Sequence, residues 1–278
     1  MSSNWKRWLL STSVVCGVAC GSSDGGNDGD GGESIDADGG VRRDGGRDAS
    51  TSRDSSTSAD GGDGENCGAL MARLRDFRPG TPDAGGNPDF EAYNGSGAAK
   101  GILAPMLDGD SLPVFSDGKG VVTSKASFDQ WYRNVPGINM EIDLPIELSA
   151  MGGGSYGYQS SAFFPLDGKG FGNYNNTGHN FHFTTQIATS FTYGGGEVFE
   201  FEGDDDLWIF VNKRLALDLG GVHPAVKGSI DFDKQAAALG IVKGETYPMD
   251  IFHAERHTSQ SNFKIRTTIS CFMPPILL

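Results

Sequence analysis

Positive charge is scarce in this chain. Its 22 Lys and Arg stand against 36 Asp and Glu, a formal net charge of −14 over 278 residues. That balance argues against nucleic acid or an anionic membrane surface as partner. Cysteine is scarcer still, with four in all. Of these, Cys67 and Cys271 have no second Cys two to four residues away, the spacing a structural zinc site would use. No apolar run reaches the ~20 residues that span a bilayer as a helix. Both Gly-Lys pairs, in the DGKG peptides at 117–120 and 167–170, lack the Gly five residues upstream that a phosphate loop needs, so they read as turns. Aromatic residues are absent from 20–66, and aliphatic ones nearly so.

What is present divides the chain into unlike parts. Residues 1–19 have the layout of a secretory signal, with Lys6 and Arg7 ahead of the short apolar stretch WLLSTSVVCGVA. The stretch ends in GVAC at 17–20, which resembles the lipobox of bacterial lipoproteins, with Gly17 where Leu is usual and Ala19 fitting well. The resemblance implies a lipidated Cys20, a membrane contact through that lipid alone, and an exported protein at the outer membrane or cell surface. Gly21 rather than Asp after Cys20 favours the outer membrane. An ordinary cleaved signal peptide is the alternative.

The Gly, Ser and Asp of 20–66 cannot bury enough surface to offset their ordering entropy, so this stretch is expected to be a disordered tether. Its Asp-Gly runs lack the order of a calcium loop ending in Glu. The folded region is expected at 67–271, with 272–278 a short tail. Once Cys16 has left with the signal and Cys20 has taken lipid, Cys67 and Cys271 remain at the two ends of that region and are expected to pair.

Period-2 patterns dominate from residue 139 onward. They cover MEIDLPIEL (140–148), HNFHFTTQIATSFTY (179–193), EVFEFEG (197–203), DLWIFVN (206–212), RLALDL (214–219), YPMDIFHAE (247–255) and FKIRTTISCF (263–272). Gly-rich turns separate them, and the chain has 42 Gly. Asn212-Lys213 is a two-residue hairpin candidate. The class expected is all-β, an antiparallel β-sandwich or barrel with a few short helices. One helix is expected on SFDQWY, with Ser127 as cap and Gln130 completing the capping box. Another is expected on DKQAAALG (233–240), capped by Asp233 or its neighbour and stopped by Gly240.

FEGDDDLWIFVN (201–212) puts three carboxylates at the mouth of an apolar strand. Each raises the cost of ionising the next, so they are either solvated or held by something positive. GDDDLWIFVN, DLGGVH (218–223) and FHAERHTSQSNF (252–263) occur with RDFR (75–78), NPDFE (87–91), FDQWY (128–132), FPLDGKGFGN (164–173) and HNFHFTTQIATSFTY. This ordered set resembles the fibro-slime domain, and its acidic hairpin is similar to the larger protective-antigen-type, jelly-roll-like β-sandwich clan. In sugar-binding members of that clan, two consecutive Asp joined by a cis peptide hold calcium, and the ion coordinates vicinal hydroxyls of a glycan. The resemblance places that pair on Asp204 and Asp205. It implies a calcium-dependent carbohydrate-binding or adhesion module whose partner is a glycan or an extracellular-matrix component.

Neighbouring strand residues point to opposite faces, so a shared ion needs a kinked backbone. Further ligand candidates are Asp206, Asn212, carbonyls of the Gly220-Gly221 loop, Glu255 and Asn262. Trp208, Gly220, Gly221 and His223 are candidates for ligand contact. Leu207, Ile209 and Val211 are expected to face the core, with Asp206, Trp208, Phe210 and Asn212 on the other face. The three carboxylates Asp204, Asp205 and Glu255 leave a glycoside hydrolase as the second reading, and a purely structural surface protein as the third. The histidines are read as structural. HAERH is not the HExxH of a zinc protease, and Glu255 and Arg256 are expected to pair or to bond backbone.

Overall fold

The computed structural model describes residues 69–81, 84–91 and 97–275. The expected signal and tether, with Cys20 and Cys67, lie outside the described residues. Among the described residues, thirteen strands and two helices form in chain order. They are β1 (Ala69–Phe77), β2 (Gly97–Ala98), α1 (Lys125–Phe128), β3 (Asn139–Glu147), β4 (Ser149–Gly152), β5 (Ser155–Ser160), β6 (Phe183–Thr192) and β7 (Val198–Gly203). There follow β8 (Asp206–Val211), β9 (Arg214–Leu219), β10 (Gly221–Val222), β11 (Val226–Asp231), α2 (Phe232–Leu239), β12 (Thr246–Glu255) and β13 (Phe263–Thr267).

The strands make a six-stranded sheet, β3-β1-β6-β12-β8-β9, and a five-stranded sheet, β11-β7-β13-β5-β4, with the small β10-β2 pair beside them. The pairings are antiparallel. Between the sheets lies a core to which β8 gives Leu207, Ile209 and Val211, β6 gives Phe183, Ile187 and Phe191, and β7 and β13 give Phe199, Phe201, Phe263 and Ile265. The expected β-sandwich is therefore the observed fold. The two-residue turn at Asn212-Lys213 also forms, with both residues at positive φ (50° and 61°), as the twist of a two-residue hairpin demands.

The other face of the six-stranded sheet is not solvated. Trp208, Phe210, Phe252, Ala254 and Phe77 are buried there under Phe90, Ile102, Leu103, Leu107, Val121, Val122, Phe128, Trp131 and Tyr132. These last come from the described residues of 78–138, which have little regular structure and form a third layer. Trp208 is 0 % exposed, so its expected contact with a ligand is corrected: it is core. Packing it away removes well over a hundred Å² of apolar surface from water, worth about 3 kcal/mol.

Both helices begin earlier than expected. The capping box of α1 is made by Ser124 and Ser127, not by Ser127 and Gln130. Asp231 caps α2, and Gly240 ends it in the left-handed conformation. Six strands, β1, β2, β4, β5, β10 and β11, form outside the period-2 stretches named above, and β6 starts only at Phe183 rather than at His179.

Candidate cation and ligand site at the β7–β8 corner

The three aspartates sit where the chain leaves β7 and enters β8, crossing from one sheet to the other. The Asp204–Asp205 peptide bond is cis, in keeping with the kinked backbone that the resemblance implies. Each carboxylate has a different set of partners. Asp204 accepts from the backbone N–H of Asn262 at 2.5 Å and from its Nδ2 at 2.9 Å. Asp205 accepts from the N–H of His223 at 3.3 Å and of Arg256 at 3.1 Å. Asp206 accepts from the N–H of Gly221 at 2.6 Å and from Arg256 Nε at 2.6 Å.

Arg256 settles the third charge. It is 0 % exposed, as is Asp206. Its Nη1 donates to the carbonyls of Val121 at 2.7 Å and Asp89 at 3.4 Å, and its guanidinium lies 4.9 Å from the Trp131 ring centre. The ion pair thus stitches the six-stranded sheet to the third layer. Arg256 pairs with Asp206, not with Glu255, because the two residues follow each other on β12 and its exit and so point to opposite faces.

Asp204 and Asp205 remain, without a hydrogen bond from a Lys or Arg side chain among the described residues. They line a pocket of about 340 Å³ with Val222, His223 and Pro224 from the end of β10 and the loop after it, and His257, Ser259 and Gln260 from another loop. Burial pushes Asp205 up to about 8, with the charges of Asp206 and Asp204 adding to the rise and Arg256 opposing it. Glu255 is 1 % exposed. Neither of its oxygens has a hydrogen-bond partner. Ser261 lies beside it, but that hydroxyl proton goes to the Phe163 carbonyl at 2.7 Å. Burial, followed by the charge of Asp205, holds the Glu255 carboxyl well above its ordinary range.

The loop that carries His257, Ser259 and Gln260 is anchored through Glu91. The Glu91 carboxylate accepts from the Thr258 N–H at 3.2 Å and the Thr258 hydroxyl at 3.1 Å, and lies 3.1 Å from His182 Nε2. The other loop is fixed by His223, whose ring nitrogens face the carbonyls of Pro224 at 3.0 Å and Leu219 at 3.1 Å.

The site therefore gathers Asp204, Asp205, Asn262 and His223 from the expected set, with Glu255 buried behind them. Four other expectations need correction. Asn212 sits at the far end of β8, about 20 Å along the strand, where its Nδ2 donates to the carbonyls of Leu239 and Gly240 at 3.0 and 3.2 Å. Asp206 is consumed by Arg256. Gly220 and Gly221 do not line the pocket: the Gly220 carbonyl accepts from Ala99 N at 2.6 Å, and Gly221 serves Asp206. Among the described residues, no group of three or more His, Cys, Asp or Glu is arranged to hold a metal ion. An ion here would be held by the two adjacent carboxylates, with amide, carbonyl, water or ligand oxygens completing its shell.

Sequence reasoning missed Arg256 as the partner of Asp206 and His253 as a partner of the Asp204 carbonyl. The signal was present only as polar His253 among apolar residues of β12 and Arg256 just past its end. It also passed over a G-x-S-x-G string at 153–157. That string lies in the β4–β5 turn rather than at a strand-to-helix elbow, and the Ser155 hydroxyl donates to the Gly152 carbonyl at 2.7 Å.

Cys67, the expected partner of Cys271, lies outside the described residues. No helix among the described residues is long and apolar enough to cross a membrane.

Residues 170–273 match the PA14 domain. The match runs from ahead of β6 to just past β13, so it holds all three aspartates and both pocket loops. The covering layer and β1 to β5 lie outside it. The PA14 domain is the protective-antigen-type sandwich of the sequence resemblance, while the narrower fibro-slime assignment is not part of the match. Among curated proteins, psiD of Dictyostelium discoideum is 42 % identical over 200 residues, covering 66 % of this chain and 38 % of its own length. The chain thus spans well under half of that relative. Among solved structures, the PA14 sugar-binding domain from an RTX adhesin is 8 % identical, with a TM-score of 0.32 over 72 % of this chain and 88 % of that one. The epithelial adhesin 6 A domain from Candida glabrata, in complex with Galb1-3GlcNAc, is 11 % identical, with a TM-score of 0.31 over 76 % and 88 %.

Proposed function

We propose that the chain is a surface-tethered, calcium-dependent carbohydrate-binding or adhesion module of the fibro-slime type. The supporting observation is the pair Asp204 and Asp205, two adjacent and largely buried carboxylates that line one pocket with no Lys or Arg side chain among the described residues bonded to them. Their partners are N–H donors, and a carboxylate has about four lone-pair sites, so both retain acceptor capacity. Such hard oxygen donors suit calcium, which takes six to eight oxygens. Asp204 and Asp205 would hold the ion. Asn262, whose Nδ2 is already turned to Asp204, has its Oδ1 to offer. When bound, the ion supplies an electrophilic point for vicinal hydroxyls of a glycan or matrix component, and the two loops shape the space around it.

The glycosidase reading is weaker on one observation. Glu255, its third carboxylate, does not line the pocket and is 1 % exposed, so it cannot reach a glycosidic oxygen there. A purely structural role is the outcome if no glycan binds.

The test is a calcium titration to several millimolar, since extracellular sites can be weak. Binding to the folded state alone stabilises it by about 2.7 kcal/mol at a hundredfold excess over Kd. The melting temperature should rise with calcium, and Asp204→Asn with Asp205→Asn should remove the rise. Glycan-array signal should vanish with chelator and with the same pair of substitutions. No thermal shift would overturn the cation reading, and a shift without any glycan signal would overturn the lectin reading. The tether is tested by Cys20→Ser, which should release the protein from the membrane fraction. A wild type already soluble would refute lipid anchoring.

A further inference from the structure

His253 is an odd residue for its place. It stands on the inner face of β12, opposite Thr185 of β6 and Leu207 of β8, and is 1 % exposed. Four phenylalanine rings enclose it: Phe263 at 5.2 Å, Phe163 and Phe183 at 6.2 Å and Phe201 at 6.5 Å between ring centres. Phe or Leu would fill such a cage without the cost of burying an imidazole. The ring makes one polar contact, from Nε2 to the main-chain oxygen of Asp204 at 3.0 Å, and its Nδ1 has no partner. A carbonyl oxygen only accepts, so the hydrogen must be on Nε2.

We propose that His253 is a positioning residue for the acidic pair. By holding the Asp204 carbonyl it sets the plane of the peptide that joins Asp204 to Asp205, and so sets where the two carboxylates stand. The inference rests on the cation reading above. The rest of Asp204 is held from the residue just ahead of β13: its carboxylate by Asn262, and its N–H by the Asn262 carbonyl at 3.4 Å. Nothing on β13 holds the Asp204 carbonyl. His253 contributes that restraint from β12, in the other sheet, so the pair is clamped by both halves of the sandwich. Its aromatic cage fixes the ring so that its single donor is aimed.

The experiment compares wild type, His253→Phe and His253→Gln, using calcium chloride alone as probe. Phe fits the cage but cannot donate, whereas Gln can place an amide N–H near the position of Nε2. His253→Phe should stay folded and bind calcium at least about tenfold more weakly, the usual loss when a residue that orients a metal ligand is removed. His253→Gln should recover most of that loss. Wild-type calcium affinity in His253→Phe, or no recovery in His253→Gln, would overturn the proposal. A second readout needs no cation. Imidazole 15N shifts of the metal-free wild type should show hydrogen on Nε2, and the amide resonances of 204–206 should move in His253→Phe but not in His253→Gln. Hydrogen on Nδ1, or unmoved amides, would overturn the proposal even if calcium does not bind at all. Failure of the cation reading alone would leave these NMR results as expected while the calcium titration stays flat.

Discussion

Replacing Arg256 with Met should be among the most damaging single substitutions in the fold. The guanidinium and the Asp206 carboxylate are both fully buried and 2.6 Å apart. Met matches much of the volume but leaves Asp206 with one donor, the Gly221 N–H. It also leaves the carbonyls of Val121 and Asp89 without the donor that reaches them from Nη1. Breaking a buried pair by removing one partner costs about 3–5 kcal/mol, mostly because the other charge is stranded. For a domain of this size each kcal/mol moves the melting temperature by about 2–4 °C, so the expected fall is roughly 6–20 °C. Removing both charges with Arg256→Met and Asp206→Leu should cost far less than the two single losses added together, a coupling of at least about 2 kcal/mol. Denaturant unfolding of the wild type, both single variants and the double variant closes the cycle. The reasoning fails if Arg256→Met costs under about 1 kcal/mol, the range of an exposed pair, or if the two losses simply add.

Three other expectations are open to measurement. Asp250 is 5 % exposed, and burial pushes its carboxyl up to about 7 against an opposing pull from Lys213. The folded chain then keeps a proton that the unfolded chain releases near pH 4, so stability should fall as pH rises from about 4 to about 7. Asp250→Asn should remove that slope and add roughly 2–4 kcal/mol at pH 8 with little change at pH 4; a pH series of unfolding curves that is parallel in the two proteins would contradict this. Gly221 has φ of +110°, and a Cβ there would stand 2.2 Å from the Gly97 carbonyl oxygen. Gly221→Ala should therefore cost roughly 2–4 kcal/mol in chemical denaturation, and a neutral result would show that the β10–β2 pair yields freely. Non-reducing peptide mapping of the exported protein should find Cys271 cross-linked to Cys67, and a free Cys67 thiol would refute that pairing.

Strands β3, β6 to β9, β12 and β13 were legible because side-chain direction alternates along a strand, so a strand between core and another environment writes its pattern in single residues. Leu207, Ile209 and Val211 were placed on the core side from that pattern alone. The Asn212-Lys213 turn was legible for an equally local reason, since the turn must accept positive φ at both positions. The run of three aspartates likewise marked 204–206 as a place where charge needed an answer, and the family resemblance picked out Asp204 and Asp205. What alternation cannot report is what covers the second face. Trp208 and Phe210 are core because 78–138 folds across them, and that stretch has few regular elements and so no period to read. Asp206 looked like a third ligand until Arg256, fifty residues on, came to lie against it; the partner of a buried charge is chosen by how strands stack, not by neighbours in sequence. Asn212 was excluded by length alone, because one strand separates it from the acidic pair. The sequence by itself determined an antiparallel sandwich or barrel, its hairpin and the acidic corner, because strand alternation and turn geometry are local to the backbone. Only the tertiary structure decided which aspartates are spoken for, because that depends on contacts between segments far apart in the chain.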